Sequence, residues 1–568
     1  TTEKIYPPET DVSGESPRIG VFVCHCGINI GGVVDVPAVT RYAATLPYVV
    51  YAGENLFTCA QDTQESICNI VKEHNLNRVV VASCSPRTHE PLFQQTLREA
   101  GLNPYLFDMA NIRDQCSWVH MKQPKEATEK AKDLVRMTVS KAAHLTPLER
   151  WKTPVTKAAL VIGGGIAGMT AARALADQNF KVAIVEKSPE LGGNMRHIYT
   201  ILQNGDPQEF LTQTIAKVLA DENIRVFTSA RVKKIDGYIG NFKSAISLED
   251  GSEEIFEHGV VIVATGALEK TPSEYHYGES DRILTQRELE KRLANRALGD
   301  AETFVMIQCV GSRDEERPYC SRVCCNEAIK NALHIKEQKP SAAVFILYRD
   351  MRTYSFQEEY YTAAREKGVI FVRYDPDCKP VVDVEEDGSV KVRALDLILQ
   401  REISIHADML ILSMGTAPNP DNAELAQMLK VPLSEDGFFL EAHMKLRPVD
   451  FATDGIFLCG LAHAPKLIDE AIAQGEAAAA RASVVLSHYE IETQGQVSRI
   501  NVSLCQACGT CIEMCPYNAI DMDEAKGAAV VNPALCKGCG ICASSCRCGA
   551  PDIGGFTNAE ILAELSVI

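Results

Sequence analysis

No apolar run in this chain approaches the roughly 18 residues that a membrane-spanning helix needs, so no transmembrane helix is expected. Positive charge is also scarce: 57 Lys and Arg face 75 Asp and Glu, for a net charge of −18, and no basic run is concentrated anywhere. That balance speaks against nucleic acid as a partner. The opening stretch TTEKIYPPETDVSGESP lacks the apolar core of a signal peptide and reads as a loose arm. A length of 568 residues with 46% hydrophobic content predicts three or four domains with large cores.

Cysteine, by contrast, is abundant, with 21 residues in clustered groups. In a long chain with no secretory leader, this pattern points to metal clusters in a reducing cytoplasm rather than to a disulfide framework.

The stretch Ala158–Gly193 carries the clearest pattern. Ala158-Ala-Leu-Val-Ile is a short apolar strand, followed at once by Gly163, Gly165 and Gly168 in G-x-G-x-x-G spacing. Ile166 and Ala167 open a helix that runs through Met169–Gln178, and Lys181–Val185 is a second strand ending at Glu186 and Lys187. This is the order of a dinucleotide-binding βαβ unit. Gly163 makes the tight turn, Gly165 admits the pyrophosphate, and Gly168 lets the helix pack on the strand, with the helix N-terminus facing the phosphates. Glu186 stands where an acid holds a ribose hydroxyl. The alternative is a glycine-rich structural turn. Glu186 followed by Leu191-Gly192-Gly193 resembles the flavin version of the motif in two-dinucleotide flavoproteins such as thioredoxin reductase.

Residues 1–150 alternate strands (Arg18–Val23, Tyr48–Ala52, Arg78–Ala82, Pro104–Phe107) with helices (Pro37–Leu46, Ala60–His74, Thr88–Ala100, Glu126–Ala143), predicting a small doubly wound α/β domain. Cys24, Cys26 and Cys84 follow strands, Cys59 opens a helix and Cys116 begins another. Strand carboxyl ends and helix N-termini share one edge of such a sheet, so four of these five can ligate an iron–sulfur cluster. The alternative is buried apolar cysteine. Arg87, His89 and Arg113 follow the cysteines closely.

Residues 151–490 read as the flavoprotein body. The strands Val260–Ala267 and Met409–Gly415 end at Ala264-Thr265-Gly266 and Ser413-Met414-Gly415, as do the strands joining the halves of thioredoxin-reductase-like flavoproteins. Gly460 precedes a small-residue helix over Leu467–Ser483. The related reductases carry Asp after this glycine, where this chain has Leu461. Gly460 and Leu461 remain candidates for flavin contacts, and Gln474 is expected near the isoalloxazine. A second glycine motif, for NAD(P)H, is expected after the strand beginning at Thr303. Instead Cys309, Cys320, Cys324 and Cys325 follow in C-x10-C-x3-C-C spacing. Four thiolates match a [4Fe–4S] cluster. Zinc and redox thiols are the alternatives, although the Cys-Cys pair is unlike a zinc knuckle. No C-x-x-C stands in this body to act as a flavin-linked disulfide.

Residues 495–568 contain Cys505, Cys508, Cys511 and Cys515, then Cys536, Cys539, Cys542 and Cys546, each in C-x2-C-x2-C-x3-C spacing. This is the two-cluster ferredoxin pattern, in which the fourth cysteine of each run ligates the other cluster. The expected sets are Cys505, Cys508, Cys511 with Cys546, and Cys536, Cys539, Cys542 with Cys515.

Taken together, the motifs CHCG, SCSPRTHE, GGGIAG and CVGSRDEERPYCSRVCC with the terminal ferredoxin pattern resemble the iron–sulfur flavoprotein (the A component) of heterodisulfide reductase. The resemblance implies an α/β chain of three domains: a doubly wound N-terminal domain with its own [4Fe–4S] cluster, a thioredoxin-reductase-like FAD domain, and an α+β two-cluster ferredoxin domain. It implies FAD, several [4Fe–4S] clusters, partner subunits in a cytoplasmic redox complex, one of them an electron donor, and an oligomeric assembly. The expected function is electron transfer between FAD, clusters and partners, with flavin-based electron bifurcation as one version, a non-bifurcating relay as another, and a stand-alone NAD(P)H-dependent flavin oxidoreductase as the competing reading. Longer family members carry a ferredoxin domain inserted in the flavin domain; Leu191–Gly266 holds no cysteine, so that insertion is missing.

Overall fold

The computed structural model describes residues 4–568 except Asn204 and Asp387. The chain divides into two compact units: residues 1–153 with 492–568, and residues 154–491. The segments expected as separate first and last domains thus belong to one unit. Among the described residues no helix is long and apolar enough to cross a membrane.

In the first unit, four parallel strands line up in the order Val49–Asn55, Ile19–Cys24, Arg78–Ser83, Phe107–Asn111. Ile19–Cys24 and Arg78–Ser83 are buried along their whole length, as strands covered on both faces by helices must be. The strand order reverses between these two, which makes the gap between their carboxyl ends the natural ligand crevice. The fourth strand begins at Phe107 rather than Pro104, because Asn103 turns the chain: its Oδ1 accepts from the Tyr105 N–H at 3.1 Å. Helix Pro124–Ala142 packs against the terminal helix Asn558–Leu565, with the Ser140 hydroxyl donating to the Ala563 carbonyl at 2.8 Å. Between these segments lie two short antiparallel pairs, Ser498–Ile500 with Pro551–Ile553 and Ile520–Asp523 with Ala528–Val531.

The second unit repeats one plan twice. A five-stranded parallel sheet is ordered Ile456–Leu458, Val260–Val263, Ala158–Ile162, Lys181–Val185, Ile224–Phe227. A second runs Ile283–Thr285, Met409–Met414, Thr303–Val310, Ala343–Tyr348, Ile370–Arg373. Each sheet is accompanied by a three-stranded antiparallel sheet, from Arg231 to His258 and from Val381 to Ala407. The antiparallel pair Ala267–Glu269 with Thr416–Pro418 joins the two halves. This is the two-dinucleotide architecture expected from the sequence.

Candidate functional site

The first glycine turn leads from the strand Ala158–Ile162 into the helix Ile166–Ala176. Gly163 has φ +114°, and a Cβ there would lie 2.2 Å from the Ala264 carbonyl oxygen; at Gly168 it would lie 2.0 Å from the Gly163 carbonyl oxygen. Both glycines are required by close backbone packing. Gly165 differs, because a Cβ there meets nothing within 4 Å. It caps the helix, and its side-chain direction opens on free space, as a pyrophosphate cradle must. Gly192 reinforces the turn by donating its N–H to the Gly164 carbonyl at 2.9 Å, and Gly193 follows in the left-handed region.

Glu186 is buried, and its two carboxylate oxygens accept from the Gly164 N–H at 2.7 Å and the Ser188 N–H at 2.8 Å. It stands at a cleft of ≈ 120 Å³ lined by Gly163, Glu186, Lys187, Thr265, Asn419 and Asp421. Lys187 reaches across, donating to Asp421 at 2.9 Å and Asn419 at 3.2 Å. The hydrogen bond from Lys187, strengthened by Arg231, holds the Asp421 carboxyl below the usual carboxylate range. Ala264, Thr265 and the left-handed Gly266 close the inner side, where the Thr265 hydroxyl donates to Asn422 at 3.2 Å. Sequence reasoning missed Asn419 and Asp421, which lie more than two hundred residues from Glu186.

The other end of this half turns at Gly460–Ala462 into the helix Ile468–Ser487. Leu461 packs against the core and offers no polar atom where the related reductases carry Asp. Gln474 donates through Nε2 to His463 Nδ1 at 2.9 Å, while His463 Nε2 meets Glu441 at 2.8 Å. The Gln474 Oε1 atom is buried without a partner. An orphaned acceptor at this position fits a bound group with a donor. Lys466 is also buried, donating to the Gly460 and Ala464 carbonyls, and burial lowers its pKa to about 8.

At the end of the second sheet's central strand, Cys309 has φ 63° and Gly311 has φ 64°. Cys324 and Cys325 form the first turn of the helix Cys324–Gln338, and Cys320 lies half-buried between. These four thiols share one neighbourhood. A hydrogen bond with Cys325, burial, and charge at Cys309 and Cys320 push the Cys324 thiol well above its usual range, whereas the Cys324 bond pulls Cys325 down. The Arg322 N–H donates to the Cys320 sulfur at 3.3 Å. The Arg322 side chain reaches the Pro465 carbonyl at 3.2 Å and Glu470 at 2.7 Å, which ties the cysteine loop to the turn and helix holding Gln474. Close by, Lys330 and Glu290 form a buried ion pair at 2.7 Å, and buried Asn326 leaves both side-chain polar atoms unpaired.

In the first unit, Cys24 ends one central strand and Cys84 follows its neighbour, on either side of the crevice. Burial raises the thiols of Cys59 and Cys84, and charge at Cys24 and Cys26 adds to both. Those four cysteines therefore converge. The Thr58 and Cys26 N–H groups donate to the Cys24 sulfur at 3.4 and 3.3 Å, and Arg113 stands 4.0 Å from the Cys26 sulfur. Cys116 is not brought into this group. It lies near the end of the short π-helix Arg113–Ser117 rather than at its start, and its fully buried thiol donates to the Ala127 carbonyl at 3.0 Å. Arg87 is exposed at the start of the helix Pro86–Ala100.

The terminal cysteines repeat every 31 residues, and the backbone repeats with them: Ala507 and Gly538 have φ 51° and 60°, Gly509 and Gly540 have φ 78° and 79°. Cys515, Cys536, Cys539 and Cys542 line a common cavity. Their surroundings donate to sulfur, through the Ala519 N–H to Cys515 at 3.3 Å and the Ser498 N–H to Cys536 at 3.4 Å. Cys511 feels charge at Cys505 and Cys508, beside Cys542 of the other run. Among the described residues no three His, Cys, Asp or Glu side chains close in on a point tightly enough for a single metal ion. A [4Fe–4S] cluster spreads its four thiolates over separate irons.

The family model described as "Pyridine nucleotide-disulphide oxidoreductase" matches residues 157–306, ending just before Cys309, and that described as "4Fe-4S dicluster domain" matches residues 504–550. Among solved structures the chain is similar to the thioredoxin reductase of Lactococcus lactis, at 20% identity and TM-score 0.41, over 58% of this chain and 99% of that one. Curated relatives include the second A-type iron–sulfur component of the CoB–CoM heterodisulfide reductase of Methanopyrus kandleri, 39% identical over 91% of this chain and 93% of that protein. Another is the A component of the H(2):CoB-CoM heterodisulfide,ferredoxin reductase of Methanothermobacter thermautotrophicus, 39% identical over 90% of this chain and 91% of that protein. At this identity along nearly the whole length of both, the chain belongs to the family of heterodisulfide reductase A components.

Proposed function

We propose that this chain is the flavin hub of a cytoplasmic, heterodisulfide-reductase-like complex, taking electrons from one partner and passing them to others through four [4Fe–4S] clusters. FAD, when bound, exchanges electron pairs and single electrons, and each cluster takes up one electron at a time. The chain's own residues bind and insulate. The N–H groups at Gly165–Ala167 and the helix they open hold the pyrophosphate, Glu186 holds the ribose, and Gln474 Oε1 accepts from the flavin end. Cys24, Cys26, Cys59 and Cys84 form one ligand set and Cys309, Cys320, Cys324 and Cys325 a second. Cys505, Cys508, Cys511 with Cys546, and Cys536, Cys539, Cys542 with Cys515, form the remaining two.

One observation carries this reading. Where the second sheet would present a nucleotide-binding turn, four cysteines stand instead, tied through Arg322 to the helix beside the flavin turn. Electrons therefore enter and leave through clusters and partners rather than through NAD(P)H. The test is anaerobic iron, sulfide and flavin content on one sample, followed by NADH titration. About sixteen irons and one FAD per chain, with no bleaching by NADH, are expected from four cubane clusters. Rapid bleaching by NADH would make the stand-alone oxidoreductase the better reading. Widely separated one-electron flavin potentials would mark bifurcation, and closely spaced ones a simple relay.

A further inference from the structure

We propose that Arg313 and Arg349 raise the reduction potential of the cluster held by Cys309, Cys320, Cys324 and Cys325, so that it is the first acceptor of an electron from the flavin. The inference rests on the proposed function, which assigns those four cysteines to one cluster. Reducing a [4Fe–4S] cluster by one electron adds one negative charge to it, with no proton or bond change. Fixed positive charge beside the sulfurs stabilises that product, most strongly where water is excluded.

The structure places such charge here in an unusual way. Arg349 is buried, at 6% exposure. It donates through Nη1 to the Arg313 carbonyl at 2.7 Å and through Nε to the Tyr374 hydroxyl at 3.3 Å. Among the described residues no carboxylate lies within ion-pair distance of it, and the ion pairs of its neighbours Arg313, Arg352 and Arg373 all go to Asp350. A buried guanidinium without a counter-charge is strongly unfavourable, and the negative charge of a thiolate-ligated cluster supplies the balance. Arg313 points the same way. Its Nη2 donates to Asp350 at 2.8 Å, but its Nη1 is buried with no hydrogen-bond partner, and its charge acts on the Cys309 thiol. Arg352 and Arg373 stand 4.0 and 3.6 Å from the same Asp350. Three guanidinium groups thus share one carboxylate beside these cysteines, and Arg349 adds a fourth with none.

The other cysteine groups are not built this way. Arg113, beside Cys26, is offset by its own Asp114 at 2.9 Å. Arg547, in the terminal run, is exposed, and water screens its charge.

The experiment is an EPR-monitored redox titration of the full chain loaded with FAD and iron–sulfur clusters. Cys320→Ser first identifies the signal that belongs to this site. Arg313→Gln and Arg349→Met are then expected to move that signal's midpoint to more negative potential, while the other clusters hold theirs. Asp350→Asn, which removes the carboxylate shared by Arg313, Arg352 and Arg373, is expected to move it the opposite way, and Arg313→Lys to keep it near the wild-type value. Opposite signs from Arg313→Gln and Asp350→Asn separate a field effect from simple loosening of the loop. No shift, a shift of the same sign for both, or an equal shift in every cluster would overturn the inference. If Cys320→Ser leaves all signals and the iron content unchanged, the ligand set itself is wrong, a failure distinct from that of the arginine field.

Discussion

The two halves of the flavoprotein unit share a plan and differ in what each offers at the end of its central strand. Both bring a neighbouring strand end within backbone contact of that turn. A Cβ on Gly163 would lie 2.2 Å from the Ala264 carbonyl oxygen, and one on Gly415 would lie 2.4 Å from the Gly311 carbonyl oxygen. In the first half the helix begins at Ile166, directly after the glycines, and exposes its N-terminal N–H groups to free space. In the second the helix begins only at Cys324, and the intervening loop supplies thiols and arginines. The sheet and its crossover thus serve as a platform, and the length and chemistry of one connection decide whether it presents backbone N–H groups or thiols. That is the general behaviour of open α/β sheets, whose ligands gather at strand carboxyl ends.

The strongest way to break this comparison is at the glycines. Gly168→Val is expected to disrupt the first half outright, by about 3 kcal/mol or more, since the new side chain meets a carbonyl and not a movable side chain. Gly165→Val should leave the unfolding midpoint of the FAD-free chain unchanged while weakening FAD binding about a hundredfold, the loss of two charge-assisted hydrogen bonds. Flavin retention after gel filtration and thermal unfolding separate the two. Equal loss of stability in both variants would show that Gly165 is structural.

A titration also separates the halves. His258 is buried between Phe242 and Phe256, and burial pushes its pKa down to about 4. Ala407 occupies the corresponding last position of the second antiparallel sheet. Since the folded form of His258 resists protonation, the unfolded chain binds more protons as pH falls below about 6.5. Stability contributed here is complete above that pH and declines toward pH 4, by about 3 kcal/mol in all. Urea midpoints of the cofactor-free chain at several pH values should show this slope, and His258→Gln should flatten it.

The smallest effect sharpens the contrast between ligand and core cysteines. Cys84→Ala should remove about four irons. Cys116→Ala should keep all of them and cost about 1 kcal/mol of stability. Iron loss in Cys116→Ala would return that residue to the ligand set.

The Ala158–Gly193 motif was readable because each residue in it acts on close neighbours in sequence. The duplicated 31-residue spacing likewise predicts two crossed sets, and the structure brings Cys515 of one run into a cavity with Cys536, Cys539 and Cys542 of the other. Which N-terminal cysteines come together was not readable to the last member. The four sit on separate strand ends and a loop, and a fifth, Cys116, differs only in pointing at the Ala127 carbonyl. Arg349 was invisible for a similar reason: the strand Ala343–Tyr348 delivers it beside Cys309 through parallel pairing with Thr303–Val310, forty residues apart in sequence. The union of residues 1–153 with 492–568 depends on helix faces, Pro124–Ala142 against Asn558–Leu565, whose partners no local pattern names.

That union has a consequence for synthesis. The Tyr105 hydroxyl accepts from the Gly495 N–H, and Arg136 donates to the Val567 carbonyl at 2.7 Å. As the ribosome extends the chain, residues 1–153 emerge well before residues 492–568, which form part of their packing surface. The 338 residues of the second unit, 154–491, are completed in between. Iron that reaches Cys24, Cys26, Cys59 and Cys84 before residues 492–568 are made therefore meets a sheet domain whose helix Pro124–Ala142 still lacks its packing partner Asn558–Leu565.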